Sequence, residues 1–134
     1  MSNWTHVVAT VRFDSFREYT IDDFYKLFGK ECLWSDSLDI WEDYENNPQD
    51  YLPMGSEGSL QLSLWTNPKS SHLCKYMVNI FGDLRDHDSP QTIVDWFNDK
   101  LTEINESDDY SMWIRQATIL ADNEKYGAVM DYIK

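Results

Sequence analysis

The sequence predicts an α+β fold, in which helices pack on one face of an antiparallel sheet. Several short segments alternate between apolar and polar side chains, a pattern typical of half-buried strands. Two further segments have apolar residues at helical spacing and begin with residues that favour helix starts. With 134 residues, the chain is long enough for one domain with its own core, so we expect 1–134 to be a single domain.

One strand and one helix are predicted before residue 30. Residues 4–13 alternate in polarity and therefore predict the first strand. Thr20 with Asp23 three residues later predicts a capped helix start, and Gly29 predicts the helix end. The apolar faces are Val7, Ala9, Val11 and Phe13 on the strand, and Ile21, Phe24, Leu27 and Phe28 on the helix.

The second half of the chain predicts further strands around one longer helix. Residues 60–65 and 73–81 alternate and are separated by a turn around Pro68, so they predict a hairpin. Ser89 followed by Pro90 predicts a helix start. Segments 110–120 and 128–133 predict a fourth strand and an additional C-terminal strand. The helix has an apolar stripe of Ile93, Val94, Trp96, Phe97, Leu101 and Ile104.

The resulting order is β-α-(insert)-β-β-α-β with the extra strand at the end. This order resembles the ferredoxin-like fold, which implies an antiparallel sheet with both helices on one face. Folds of this kind support many activities, so the order alone says nothing about function.

An acidic insert at about 31–58 separates the first helix from the hairpin. It contains eight acidic residues and no Lys or Arg. When residues 36–46 are placed on a helix, Leu38, Ile40, Trp41 and Tyr44 fall on one side, which predicts a docked amphipathic helix that ends before Pro48. The opposite, outward side is predicted to carry Asp36, Asp39, Glu42 and Asp43.

A second acidic row is predicted on the later helix. Asp95, Asp99 and Glu103 recur every four residues, and Glu106, Asp108 and Asp109 follow. Like charges at this spacing repel each other by a few tenths of a kcal/mol per pair. Either row alone is also what an ordinary solvated helix face would show. Two rows together favour a binding surface.

The charge balance indicates the kind of partner. The chain has 24 acids against 11 bases, a formal net charge of -13. Such a charge repels nucleic acid and anionic membranes and attracts basic protein surfaces. The chain begins with no signal-peptide pattern, and we expect it in the cytoplasm. Cys32 and Cys74 lack the spacing of a metal or redox pair, which favours buried reduced thiols.

Candidates for chemistry are few. Asp83, Asp86, His87 and Asp88 lie close enough in sequence to suggest a metal or acid–base site, but Asp88 and Ser89 are also explained by the helix start. No phosphate loop or nucleophile motif is present, so we expect no catalytic residue, no metal and no cofactor. Trp34, Trp41 and Trp65 are candidate interface anchors, with core packing as the alternative.

A small, strongly acidic chain rich in aromatic residues and without a catalytic motif resembles phage-encoded inhibitors of host defence nucleases, including anti-restriction and anti-CRISPR proteins. The resemblance covers size and composition over the whole chain. It implies a non-enzymatic DNA mimic that occupies the basic groove of a nucleic-acid-binding protein. The alternatives are a metal-binding domain or metal-dependent enzyme centred on Asp83–Asp88, and a homo-oligomeric structural protein joined through the open sheet face.

Overall fold

The computed structural model describes the chain with four internal gaps. Its strands form one antiparallel sheet in the order β2-β3-β1-β4-β5. The strands are β1 (Trp4–Ser15), β2 (Gln61–Thr66), β3 (Tyr76–Arg85), β4 (Met112–Asn123) and β5 (Gly127–Ile133). The described residues are 2–31, 38–67, 75–87, 89–107 and 112–133, with the backbone alone for 38–41, 132 and 133.

Three α-helices and one turn of 3₁₀ helix complete the part of the chain that the structure describes. The helices are α1 (Ile21–Phe28), α2 (Leu38–Asn46) and α3 (Pro90–Glu106), and the 3₁₀ turn spans Pro48–Asp50. The α+β class and the antiparallel sheet, including the fifth strand, are therefore confirmed.

The helices α1 and α3 pack on one face of the sheet. β1 is the central strand, and its alternate residues Val7, Ala9, Val11 and Phe13 are buried as the sequence predicts. They share one apolar core with Phe24 and Phe28 of α1 and with Phe97 and Leu101 of α3. The described helices leave the opposite face uncovered, and side chains such as Val8 and Phe81 are exposed there.

The strand β3 ends later than the sequence predicts. The alternation suggested an end at Phe81, but β3 continues to Arg85. The physical reason is its partner: β1 starts at Trp4, which is paired with Arg85, so the ladder has hydrogen-bonding partners up to that point. Asp83 and Arg85 therefore lie within β3 and not beyond its end. The predicted starts at Leu73 and Tyr110 lie outside the described residues.

The predicted N-terminal cap and C-terminal glycine are both present in α1. The backbone amide of Thr20 donates a 2.8 Å hydrogen bond to the carboxylate of Asp23, as a capping box requires. Gly29 ends the helix with φ of 127°, a conformation that side-chain-bearing residues rarely adopt. One prediction is wrong in detail, since Ile21 is exposed and contributes little to the core.

Candidate partner-binding surface

The acidic row on α3 is exposed along its length. Asp95, Asp99 and Glu103 are all exposed, while the opposite side of α3 is buried against the sheet. Successive members are about 6 Å apart along the axis, since four residues rise by 1.5 Å each. The buried side fixes the rotation of the helix, so the row faces outward. The buried residues are Pro90, Ile93, Val94, Phe97, Leu101 and Ile104.

The acidic insert lies beside this row. A groove of about 260 Å³ lies between residues 44–53 of the insert and α3. Asp99 and Glu103 belong to one wall of this groove, so the two acidic segments border the same depression. We call it the acidic groove; the insert contributes Tyr44, Gln49 and Tyr51 to its lining, and α3 contributes Trp96, Asp99, Glu103 and one base, Lys100.

Backbone pairing holds the insert in this position. The amide of Lys30 donates to the carbonyl of Asp50 at 2.9 Å, and the amide of Leu52 donates to the carbonyl of Lys30 at 2.8 Å. The side chain of Leu52 is fully buried in the main core. The chain after the 3₁₀ turn is therefore anchored at the end of α1, and the groove wall is part of the fold.

Two acids of α2 have different environments. Glu42 is exposed, as the sequence predicts for the outward side of this helix. Asp43 is only partly exposed, and its carboxylate accepts hydrogen bonds from the phenol of Tyr51 and, at 3.1 Å, from the amide of Asn47. The hydrogen bond from Tyr51 lowers the pKa of Asp43 because it stabilises the charged carboxylate. Asp43 therefore holds the insert together.

Positive charge near the groove is limited and partly covered. The amino group of Lys100 lies 3.9 Å from the Glu103 carboxylate, and its side chain is only 14% exposed. The amino group of Lys30 lies over the ring of Tyr51, 5.7 Å from the ring centre. Asp95 accepts a hydrogen bond from the neutral amide of Gln91 at 2.9 Å. The α3 row therefore keeps a net negative charge.

Of the remaining predicted binding residues, Trp65 is the one whose side chain the structure describes, and it does not lie with these acids. Trp65 is 46% exposed, but it lies on β2 on the sheet face opposite α1 and α3. Trp34 and Asp36 lie outside the described residues, as do Asp108 and Asp109. Asp39 and Trp41 belong to α2, where the structure describes only their backbone.

Two of the predicted metal candidates, Asp83 and Asp86, are engaged in separate contacts. Asp83 is hydrogen-bonded to His6 at 2.6 Å, whereas Asp86 accepts a hydrogen bond from the backbone amide of Asn3 at 2.9 Å. The Arg85 guanidinium pairs with Glu57 at 2.6 Å. Within the described parts of the chain, no group of three His, Cys, Asp or Glu side chains could hold a metal ion. Asp88 lies outside those parts.

The sequence did not predict the contacts of His6 on the open sheet face. His6 lies between two carboxylates: its Nδ1 is 2.6 Å from Asp83 and its Nε2 is 3.1 Å from Glu124. The hydrogen bond to Asp83 is the largest cause of a raised pKa at His6. The sequence separates these residues widely, and only the pairing of β1 with β3 and β4 brings them together.

Comparison with known proteins identifies no relative: no protein-family model, curated protein or solved structure matches the chain. The case for a function therefore depends on the geometry and the charge. Among the described residues, no helix is both long enough and apolar enough to cross a membrane.

Proposed function

We propose that the protein is a non-enzymatic inhibitor whose acidic groove docks into the basic nucleic-acid-binding groove of a partner protein. The observation that carries this proposal is the placement of the insert beside the α3 row, with Asp99 and Glu103 in the wall of the groove between them. Two acidic segments side by side present a wider negative surface than either could alone.

A DNA-mimic role requires the acids of the insert in addition to those of the α3 row. A DNA duplex carries about one charge per 1.7 Å of axis, whereas the α3 row has one per about 6 Å. The insert adds the exposed acids Glu42, Glu45 and Asp50, which are close in sequence to the groove residues Tyr44, Gln49 and Tyr51. The combined surface is closer to a polyanion than a single helix face, and a basic groove that binds phosphates would accept it.

Aromatic side chains in the groove would complement the charge. Tyr44, Tyr51 and Trp96 contribute to its lining. Aromatic residues dominate the energy of many protein interfaces, while charges at the rim mainly increase the association rate. In this proposal the partly exposed Tyr44 and Trp96 take the anchoring role that the sequence suggested for Trp34, Trp41 and Trp65, and the nearly buried Tyr51 supports the ring of Tyr44.

The kind of target follows from size, charge and the lack of a catalytic motif. These features resemble phage-encoded inhibitors of host defence nucleases, of the anti-restriction and anti-CRISPR type, which act in the cytoplasm. The strand order β2-β3-β1-β4 also supports a ferredoxin-like arrangement to which β5 is added at one edge. The partner would be a DNA- or RNA-handling protein with a basic groove.

A pull-down from cell lysate tests the proposal. Immobilised protein is expected to retain a basic nucleic-acid-binding protein at low salt and to release it at high salt, because screening weakens charge pairing. Added duplex DNA is expected to displace the partner by competing for the same groove. The proposal would be contradicted if no basic protein is retained. It would also be contradicted if binding survives both high salt and the substitution of Asp95, Asp99 and Glu103 by Lys.

A further inference from the structure

The open face of the sheet, opposite α1 and α3, has an apolar row that crosses four strands. The register pairs Val8 of β1 with Phe81 of β3 and with Leu120 of β4, and it pairs Leu120 with Met130 of β5. Val8 is 53% exposed, Met130 56% and Phe81 40%. Neighbouring side chains in such a row touch, so the exposed apolar surface is continuous. Continuous exposed patches of this kind mark interaction sites.

The centre of the open face carries no carboxylate at the described positions. Along β1 from Val8 towards Ser15, the next row of side chains is polar and uncharged. The row after that contains Trp65, Met77 and Arg12. This absence is unusual in a chain with 24 acidic residues. The polar row consists of Ser63, Asn79, Thr10 and Thr118.

On one side of the apolar row, the next row contains Asp83, His6 and Asp122, whereas the first acid on the other side is Asp14, beyond Arg12. Asp83 pairs with His6 at one end. Asp14 pairs with Arg115 at the other end, and the Asp14 side chain is nearly buried. Phe16 and Trp113 lie close to this second end with their ring centres 5.0 Å apart, and both rings are exposed. The open face therefore carries its described acids on either side of a central band that has no carboxylate.

The size of the open face matches what a stable dimer needs. Five strands at about 4.8 Å spacing, with an average length of about 30 Å, give a planar area of roughly 700 Å². A standard protein interface buries about 800 Å² on each partner. Two sheets of this kind also pack face to face at about 10 Å, with side chains of the two faces interdigitating.

We propose that the open face binds a second copy of this chain and forms a two-fold symmetric dimer. Two copies with a net charge of -13 each repel one another, and the central band of this face, which has no described carboxylate, lets two copies meet without opposed carboxylates. A basic partner would instead select the acid-rich helix side. In the dimer, the apolar row of each copy is covered by the other, and α1 and α3 of both copies face outward.

Sedimentation equilibrium of the full chain tests the dimer. The wild-type protein is expected at twice the chain mass of 15.9 kDa at micromolar concentrations. Added salt is expected to strengthen the dimer or leave it unchanged, because screening reduces the repulsion between two acidic chains. A monomer up to the highest soluble concentration, or a dimer that salt dissociates, would overturn the proposal.

Two substitutions on the open face locate the interface. Val8→Lys and Met130→Lys each place a charge in the apolar row and are expected to weaken the dimer at least about tenfold, since an unpaired buried charge is costly. The matched control is Asn105→Lys, an exposed position on α3 with the same charge change, and it should dimerise like the wild type. Circular dichroism verifies that each variant is folded. Dimers of equal strength in all three variants would contradict the assignment.

Discussion

The phenol of Tyr51 donates a hydrogen bond to the carboxylate of Asp43, and this contact ties α2 to the chain after the 3₁₀ turn. The ring of Tyr51 also meets the ring of Tyr44 edge to face, with 5.7 Å between the ring centres. Tyr44 and Tyr51 both contribute to the acidic groove. The position of the insert therefore depends on an internal contact made by one of its own acids.

Substitution of Tyr51 by Phe tests this contact. The variant keeps the ring but loses the donor, so we expect the amides of Leu38–Asn46 to exchange severalfold faster near neutral pH. Hydrogen exchange with mass spectrometry measures this, and Tyr126→Phe, at an exposed tyrosine, serves as the control. Unchanged protection in Tyr51→Phe would show that the hydrogen bond does not hold α2.

The same contact predicts an acid dependence of α2. The pKa of Asp43 is lowered in the folded protein, chiefly by the hydrogen bond from Tyr51. Its contribution is therefore complete above the unfolded pKa of 3.8 and is lost as the pH falls through the lower folded pKa. Protection of α2 in the wild type should fall over this range. In Tyr51→Phe this fall should be smaller, and an identical fall would contradict the account.

The raised pKa of His6 predicts that the stability of the protein falls as the pH rises, which is the opposite sign to the effect of Asp43. Its pKa is raised above 6.5, so its contribution to stability is complete below 6.5 and is lost as the pH rises through the folded pKa. An NMR titration of the imidazole measures the folded pKa. Asp83→Asn should lower that pKa more than Glu124→Gln, because the hydrogen bond to Asp83 is the larger cause. The reverse order would show that the Glu124 contact dominates.

Two glycines have similar backbone angles but different amounts of space around them, so alanine substitutions at both sites separate steric overlap from backbone strain. Gly58 has φ of 81° and Gly127 has φ of 84°. A Cβ at Gly58 would overlap the carbonyl oxygen of Asp83, whereas a Cβ at Gly127 would meet nothing within 4 Å. Gly127→Ala should therefore cost on the order of 1 kcal/mol from backbone strain alone.

Gly58→Ala should destabilise the protein clearly more than Gly127→Ala, because the backbone at residue 58 would have to move away from the carbonyl oxygen of Asp83 in β3. Urea unfolding of both variants gives the two free energies of unfolding. Equal decreases in the free energy of unfolding would mean that the backbone at Gly58 is not tightly packed against β3.

Local patterns were enough to predict most elements. Alternation located β1 and β2, and the Thr20 and Ser89 signals located the starts of α1 and α3. The same alternation places Trp65 on the face opposite Leu62, so its separation from the helix acids was already readable from the sequence.

Contacts that depend on strand register or on packing could not be predicted in the same way. The end of β3, the contacts of His6 and the hydrogen bond of Asp43 all require partners distant in sequence or across a turn. The exposed row of Asp95, Asp99 and Glu103 followed from helical spacing, but its position beside the insert did not. Spacing identifies the side of a helix, and only packing identifies its neighbour.

The most direct measurement of the central claim compares the recovered partner's affinity for two variants with equal charge changes. Asp99→Asn with Glu103→Gln removes two charges from the acidic groove, and Glu18→Gln with Asp122→Asn removes two exposed charges elsewhere. We expect the groove variant to bind at least about tenfold more weakly, because close charge pairs at interfaces contribute about 1.5 kcal/mol or more. The control variant should bind like the wild type. Equal affinities for the two variants would contradict the claim that the acidic groove is the binding surface.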